Sequence, residues 1–559
     1  MTKGNGRRDE LPPPKPLTVF WVSDGPHHST GYGITTKHIS ARMVADGHRV
    51  FIYGPGGFYG GKIDLAPNLT LLSANFGDDR WGNQTLKQHL DGARPDVIIT
   101  WLDCQGLGEY GWQECPTFMW APIDSWPVPS GERAILNRAD RIFVPSRWGQ
   151  TVLKDYHDLD SEYLPCGLDL DLYDVDAAAG KKWRKQLHPK LDESAFLIGM
   201  VGLNSGAPDR KGYGFAFDII KEFRQRHPET RAYIHTNYHG DGMAINLQDL
   251  RFEMELMDAI YFMQPMGSVA PLPDYLRGAY NAFDVLLHCG NSEGFGLPIV
   301  EAQACGTPVV ANACSAVTEL LGPWSVGCEP MGEMMLQPCT RIALPSVQRM
   351  VDGLEVAYEH WRQGRVDKRE VRSGVARFEQ DAIYERDWRA VLTSVPAPLN
   401  YSAHGSRKLM LAAGRERKDG FIHHDREKLW PHIEVAHDLN VFPWPWEDES
   451  WDYIEFSDCL EHLRPELTEV MDELWRILAP GGYVYIHTAE AGSWQLSMDP
   501  THTHGFYMES LDYYDPERRY GQSYSYSDRK WRIVRKTSDN SGLSFVLQPR
   551  KVAAEVARA

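Results

Sequence analysis

Short apolar runs, each followed by a polar loop and then a stretch of helical periodicity, recur along this chain and predict an α/β architecture with doubly wound sheets. Residues 17–22 (LTVFWV) read as a buried strand. A polar loop ending in Thr30-Gly31-Tyr32-Gly33 leads into a helical pattern to about Asp46; Gly47 ends it, and residues 49–53 begin a second strand. That loop falls at the carboxyl edge of the predicted sheet, where such folds bind ligands, and Gly31 and Gly33 permit close backbone approach. Further strands are predicted over 96–101, 117–122 and 141–146. A second series opens with a strand over 196–201, a loop through Arg210, Lys211 and Gly212, and an amphipathic helix to about Arg226. It continues with a strand over 284–288 and a glycine-bearing turn. In the helix that follows, Pro298 suits the first position, where its missing N–H costs nothing, and Gly306 and Pro308 close it. Residues 346–358 and 378–392 are again helical in pattern, Val395-Pro396-Ala397-Pro398 reads as a linker, and from about Lys408 an α/β pattern restarts.

The length of 559 residues exceeds one core and fits the three units that the pattern delimits. The expected organisation is a disordered leader over 1–16, a first lobe over 17–180, a second over 181–395, a linker over 396–407 and a third domain over 408–559. The leader has basic residues but no apolar core, unlike a signal peptide, and no apolar run is long enough to span a bilayer, so a cytoplasmic location is expected. Nine cysteines stand apart with no C-x-x-C pair and no Cys/His cluster at zinc spacing, so reduced thiols and no metal are expected. A net charge of −18 disfavours general attraction to nucleic acid or anionic lipid. The basic and aromatic stretches 181–185 and 529–536 read as solvated surface rather than as single-strand binding grooves.

The most informative chemistry is a pair of carboxylates, Glu293 and Glu301, separated by the turn and the helix start. Unpaired N–H groups of Phe295, Gly296 and Leu297 at that start can hold sugar hydroxyls or a diphosphate, and Glu301, deeper in the helix, can accept from ribose hydroxyls. Such an arrangement is a nucleotide-sugar site. The segment EGFGLPIVEAQACGTPVV resembles the E-x7-E signature of the retaining family 4 glycosyltransferases, and PTFMWAPIDSWPVPS and ADRIFVPSRWGQ resemble the same family. The resemblance implies two Rossmann-like lobes facing a cleft (the GT-B fold), a nucleoside diphosphate sugar as donor and no metal. It implies that Lys211 neutralises the donor diphosphate as it departs. Where relatives carry an arginine this chain has Leu203, so Arg210 would supply that charge. Asp124, just past a strand end, reads equally as a cleft residue touching a sugar or as a turn cap with Ser125. Cys166-Gly167 replaces the family's usual Asn-Gly or His-Gly turn.

Residues from Lys408 onward resemble short class I S-adenosylmethionine methyltransferase-like proteins through LMLAAGRERKDGFIHHD, HDLNVFPWPWEDESWDYIEFSDCLEHL, ELWRILAPGGYVYIHT and DPTHTHGF. The resemblance implies that Gly414, Asp425, Asp438 and Asp458 line a cofactor site, Asp425 holding ribose hydroxyls. Two departures stand out: the glycine-rich opening reads Leu411-Ala412-Ala413-Gly414, and too few residues separate Gly414 from Asp425 for the usual helix. Cofactor binding and a scaffolding role both remain open for this domain. Asp499, His502 and His504 read as structural more readily than as acid–base groups.

The expected function is therefore retaining transfer of a sugar from a nucleoside diphosphate sugar to a hydroxyl acceptor, a glycan first, with a third domain that methylates the product or serves as scaffold. Hydroxymethylated DNA bases or a protein side chain are alternative acceptors, and a non-catalytic nucleotide-sugar-binding scaffold is the alternative of another class.

Overall fold

The computed structural model describes residues 15–54, 61–73, 83–103, 115–187, 194–205, 208–240, 244–262, 273–336, 339–395, 407–539 and 542–551. Most of the expected leader and linker lies outside these residues. Contacts divide the chain into two compact units, one of Met1–Gly108 with Thr117–Val395 and one of Glu109–Pro116 with Pro396–Ala559.

The first unit holds two mainly parallel sheets. Strands β1 (Thr18–Val22), β2 (Arg49–Gly54), β3 (Lys62–Ala66), β4 (Leu69–Ser73), β5 (Val97–Trp101), β6 (Thr117–Trp120), β7 (Arg141–Val144) and β8 (Glu162–Tyr163) assemble in the order β3-β4-β2-β1-β5-β6-β7-β8. All pairs are parallel except the β3–β4 edge. The second sheet, β9 (Leu197–Val201), β10 (Arg231–His235), β11 (Ile260–Phe262), β12 (Val285–His288), β13 (Val309–Asn312) and β14 (Val326–Cys328), has the order β11-β10-β9-β12-β13-β14 and is wholly parallel. Central strands such as β5 and β12 are buried along their whole length, as sheets covered on both faces require. A hairpin of β15 (Gly332–Leu336) and β16 (Thr340–Leu344) follows.

The last helical stretch of this unit returns to the first sheet. Trp388 packs its ring 5.5 Å from Trp21 and 5.1 Å from Trp120, which itself stacks on Trp101 at 3.8 Å. Arg389 clasps Asp46, the C-cap of the first helix, at 2.9 and 2.6 Å. The pattern over 378–392 predicts a continuous helix; the structure instead has α-helix at Gln380–Ile383, a π-turn at Tyr384–Trp388 and α-helix at Arg389–Thr393. The wider turn keeps both Tyr384 and Trp388 buried while the Tyr384 hydroxyl donates to Asp46 at 3.0 Å.

The second unit has one sheet of seven strands: β17 (Lys408–Leu411), β18 (Ile422–Asp425), β19 (Val435–Ala436), β20 (Trp451–Ser457), β21 (Leu478–Thr488), β22 (Trp531–Asp539) and β23 (Gly542–Pro549), in the order β19-β18-β17-β20-β21-β23-β22. The first five are parallel and β23 runs opposite to both neighbours. The helix Leu467–Ile477 makes the crossover from β20 to β21, burying Val470, Met471, Leu474 and Ile477. No helix joins β17 to β18, as the short spacing predicts. Among the described residues no helix is long and apolar enough to cross a membrane.

Candidate functional site

At the carboxyl end of β12 the chain turns through 289–296 into the helix Leu297–Ala304. Gly296 enters that helix at φ +115°, a backbone that side chains rarely adopt. Among the described residues the N–H groups of Phe295, Gly296 and Leu297 make no hydrogen bond, so the positive end of the helix is available to an acceptor. Glu293, buried in the turn, pairs with Lys211 and lies 3.2 Å from His288 Nε2. Burial alone would raise its carboxyl, but Lys211, His288 and Arg210 together hold it well below the usual carboxylate range. Its backbone N–H donates to Ser315 Oγ at 2.8 Å. Lys211 and Arg210 are placed by Asn291, whose N–H donates to the Arg210 carbonyl and whose side chain donates to the Asp209 carbonyl, both at 2.9 Å. Gly212, at φ +70°, turns the chain into the next helix so tightly that a β-carbon there would meet the Cys289 carbonyl.

Glu301 is buried one turn into its helix and accepts from the Tyr280 hydroxyl at 2.7 Å. Burial raises its carboxyl while hydrogen bonds from Tyr280 and Tyr173 oppose the rise. From the other lobe, Asp124 meets Arg210 at 3.1 Å, which joins the two sheets across one cleft; burial raises the Asp124 carboxyl, and Arg210 opposes that rise. The structure thus brings Glu293, Lys211, Arg210 and Asp124 together. Gly31 faces Leu297 across the same cleft, its missing β-carbon only 3.0 Å from the leucine's methyl. Gly33 has a role within the loop itself. Its side-chain position is filled by the His28 carbonyl and its N–H donates to the Thr30 hydroxyl as a helix cap, so the loop's own packing requires glycine and leaves that N–H engaged.

In the second unit Asp425 ends β18 and accepts from the Gly414 N–H at 2.8 Å and from the Arg426 N–H at 2.6 Å. Asp438, after β19, accepts from both nitrogens of Asn440 and so closes a turn. Asp458, after β20, sits at φ +49° and meets His487 Nδ1 at 2.7 Å. Three carboxylates therefore stand at the carboxyl ends of parallel strands, and the space beside Gly414 is open. Ala412, which stands in the opening that departs from the glycine-rich pattern, adopts φ +52° and is strained in its own backbone.

Residues 195–329 match the family described as glycosyl transferases group 1, and residues 412–486 match the family described as methyltransferase domain. The glycosyltransferase match lies in the first unit, and the second unit is methyltransferase-like. The D-inositol 3-phosphate glycosyltransferase of Mycobacterium sp. strain KMS is 30% identical over 188 residues, 33% of this chain and 39% of the relative. The chain thus spans about two fifths of the length of the curated relatives it matches. Among solved structures, sucrose-phosphate synthase from Thermosynechococcus elongatus superposes with TM-score 0.54 at 17% identity, over 67% of this chain and 98% of that one. Anabaena HepE, solved with UDP and glucose, gives 0.50 at 16% identity, over 68% and 100%. At these identities the likeness establishes the GT-B fold of the first unit.

The glycosyltransferase cleft also contains residues that the sequence reading did not single out. Tyr32 donates to Asp103 at 2.6 Å, and the Asp103 charge adds to the rise of the Asp124 and Glu132 carboxyls. Burial, with Asp124 and Asp103 nearby, raises the Glu132 carboxyl to about 7. Tyr32, Asp103 and Glu132 come from three separate segments of the first lobe, which no local spacing connects.

Proposed function

We propose that the first unit is a retaining glycosyltransferase that moves a sugar from a nucleoside diphosphate sugar to a hydroxyl of a glycan. The observation that carries this reading is the convergence of Lys211, Arg210 and the unbonded N–H groups of Phe295, Gly296 and Leu297 beside an ionised Glu293. Two cations and a helix start aimed at one place favour a diphosphate that gains charge as it leaves. This charge set does not call for a metal ion in the transfer step. Glu293 would hold the reacting sugar and Glu301 the ribose. The donor's own phosphate oxygen would take the acceptor proton as the new bond forms on the same face, so the protein's contribution is orientation and charge stabilisation.

Solved with UDP and glucose, HepE supports the donor class. On the acceptor side, the carboxyl groups of Asp103, Asp124 and Glu132 suit hydrogen bonds with hydroxyls, which favours a sugar as acceptor. In the second unit, Gly414, Asp425, Asp438 and Asp458 would hold S-adenosylmethionine, with Asp425 toward the ribose; the cofactor would supply a methyl group for a hydroxyl of the product. The whole reading is tested by a panel of nucleotide sugars, with thermal stabilisation and release of nucleoside diphosphate as readouts and EDTA present throughout. One class of donor should raise the melting temperature and be turned over in chelator. Stabilisation with no release, with or without a sugar acceptor, would leave a binding scaffold instead.

A further inference from the structure

Beyond β20 and β21 of the second unit, two loops bring Glu461, His462 and His502 together, and we propose that these three side chains bind a divalent transition-metal ion, zinc foremost. One potential ligand atom from each residue lies within 4.8 Å of the others. Bonds of about 2.0–2.1 Å in a tetrahedral site put ligand atoms roughly 3.3–3.5 Å apart, so modest side-chain rotations complete the fit.

The hydrogen bonds around the cluster fix which atoms are free. The Thr501 hydroxyl donates its hydrogen to Asp499 at 2.7 Å and lies 2.9 Å from His462 Nδ1. With that hydrogen committed, Nδ1 of His462 must be the donor, and its Nε2 keeps a lone pair. His502 Nδ1 lies 3.2 Å from the Leu496 carbonyl, which can only accept, so His502 also presents a bare Nε2. The Thr488 hydroxyl donates to Glu461 Oε2 at 2.8 Å and leaves Oε1. Among the described residues neither Nε2 nor Oε1 has a hydrogen-bond partner. Imidazoles that donate one nitrogen to a carbonyl or a hydroxyl–carboxylate relay, beside a carboxylate steadied by a hydroxyl, have the outer support that metal ligands use.

The backbone holds the pieces in place. Thr503 and His504 N–H groups donate to the Glu461 carbonyl at 2.8 and 3.3 Å, which pins the His502 loop to the helical turn carrying Glu461 and His462. Two imidazoles and one carboxylate suit zinc better than calcium or magnesium, and three protein ligands leave one position open for water or another oxygen ligand. His462 and His502 are forty residues apart in sequence, which is why no zinc spacing is visible in the chain.

The test uses the full-length protein, stripped with chelator, reloaded with zinc sulfate and dialysed, with metal content and competition against a chromophoric chelator as readouts. Wild type should retain one more zinc per chain than a His462→Ala/His502→Ala variant. Glu461→Gln, which keeps the side-chain volume, should weaken zinc at least tenfold, and Thr488→Val, which removes only the outer hydroxyl, by about 10- to 100-fold. Circular dichroism establishes that each variant is folded. Equal zinc content and affinity in wild type and folded Glu461→Gln would overturn the proposal, whatever the double variant does.

Discussion

Gly294 lies against Pro122 of the opposite lobe so closely that a β-carbon on it would stand 2.7 Å from the proline's Cβ and 2.9 Å from its carbonyl oxygen. The turn that carries Glu293 is therefore also a surface on which the two lobes meet, and the strand end preceding Asp124 is its partner. The hairpin adds to this seam: the Arg341 N–H donates to the Trp126 carbonyl at 2.7 Å and the Thr340 hydroxyl to the Pro127 carbonyl at 2.8 Å.

Gly294→Ala should accordingly cost about 1–3 kcal/mol by overpacking and lower turnover, because the methyl pushes Asp124 away from Arg210. Chemical denaturation and nucleoside diphosphate release check the two effects. A variant as stable and active as wild type would show that the seam opens freely.

Glu301 is enclosed with Tyr280 and Tyr173, so Glu301→Gln is a cleaner probe than alanine, which would strand a buried hydroxyl. Losing one charge-assisted contact to a ribose should raise the donor KM by roughly tenfold and leave kcat nearly unchanged. Steady-state kinetics with varied donor separate the two constants. A fall in kcat alone would place Glu301 in the chemistry.

Glu132 gives a pH dependence with a definite sign. Its carboxyl is raised to about 7 in the folded chain by burial and by Asp124 and Asp103, against about 4.3 for an unperturbed glutamate. The folded state holds the proton longer than the unfolded one, so this contribution is fully present below the unfolded value and is lost as pH rises through 7. Melting curves from pH 5 to 8 should show wild type losing stability relative to Glu132→Gln. Parallel curves would remove the proposed shift.

Ala412 at φ +52° predicts that Ala412→Gly stabilises the second unit by about 0.5–1 kcal/mol, as relief of left-handed strain outweighs the added chain entropy. The same change should tighten S-adenosylmethionine by calorimetry, and Asp425→Ala should weaken it by about 1.5–3 kcal/mol. No heat with wild type or Ala412→Gly would leave this unit as scaffold.

What the sequence revealed follows the range of the interactions involved. Buried strands, the turn after β12, Pro298 in the first turn of its helix and the missing helix between β17 and β18 are local, and each is read from neighbouring residues. Glu293 and Lys211 were legible because their motifs lie in single loops. The contacts of Gly294 with Pro122 and of Arg210 with Asp124 join segments more than eighty residues apart and need the folded cleft. The π-turn at Tyr384–Trp388 arises because two side chains must both reach the first lobe, a tertiary demand that helical periodicity does not encode. Gly33 shows the converse: a glycine in a loop at the carboxyl edge of a sheet can be required by that loop's own carbonyls.

The rate of nucleoside diphosphate release at saturating donor and acceptor, compared between wild type and Glu293→Ala, tests the central claim most directly. Loss of a carboxylate held ionised beside Lys211, His288 and Arg210 should lower that rate by about 100-fold or more while the variant still binds the free nucleoside diphosphate. Turnover within about threefold of wild type would contradict the assignment of this cleft as the transfer site.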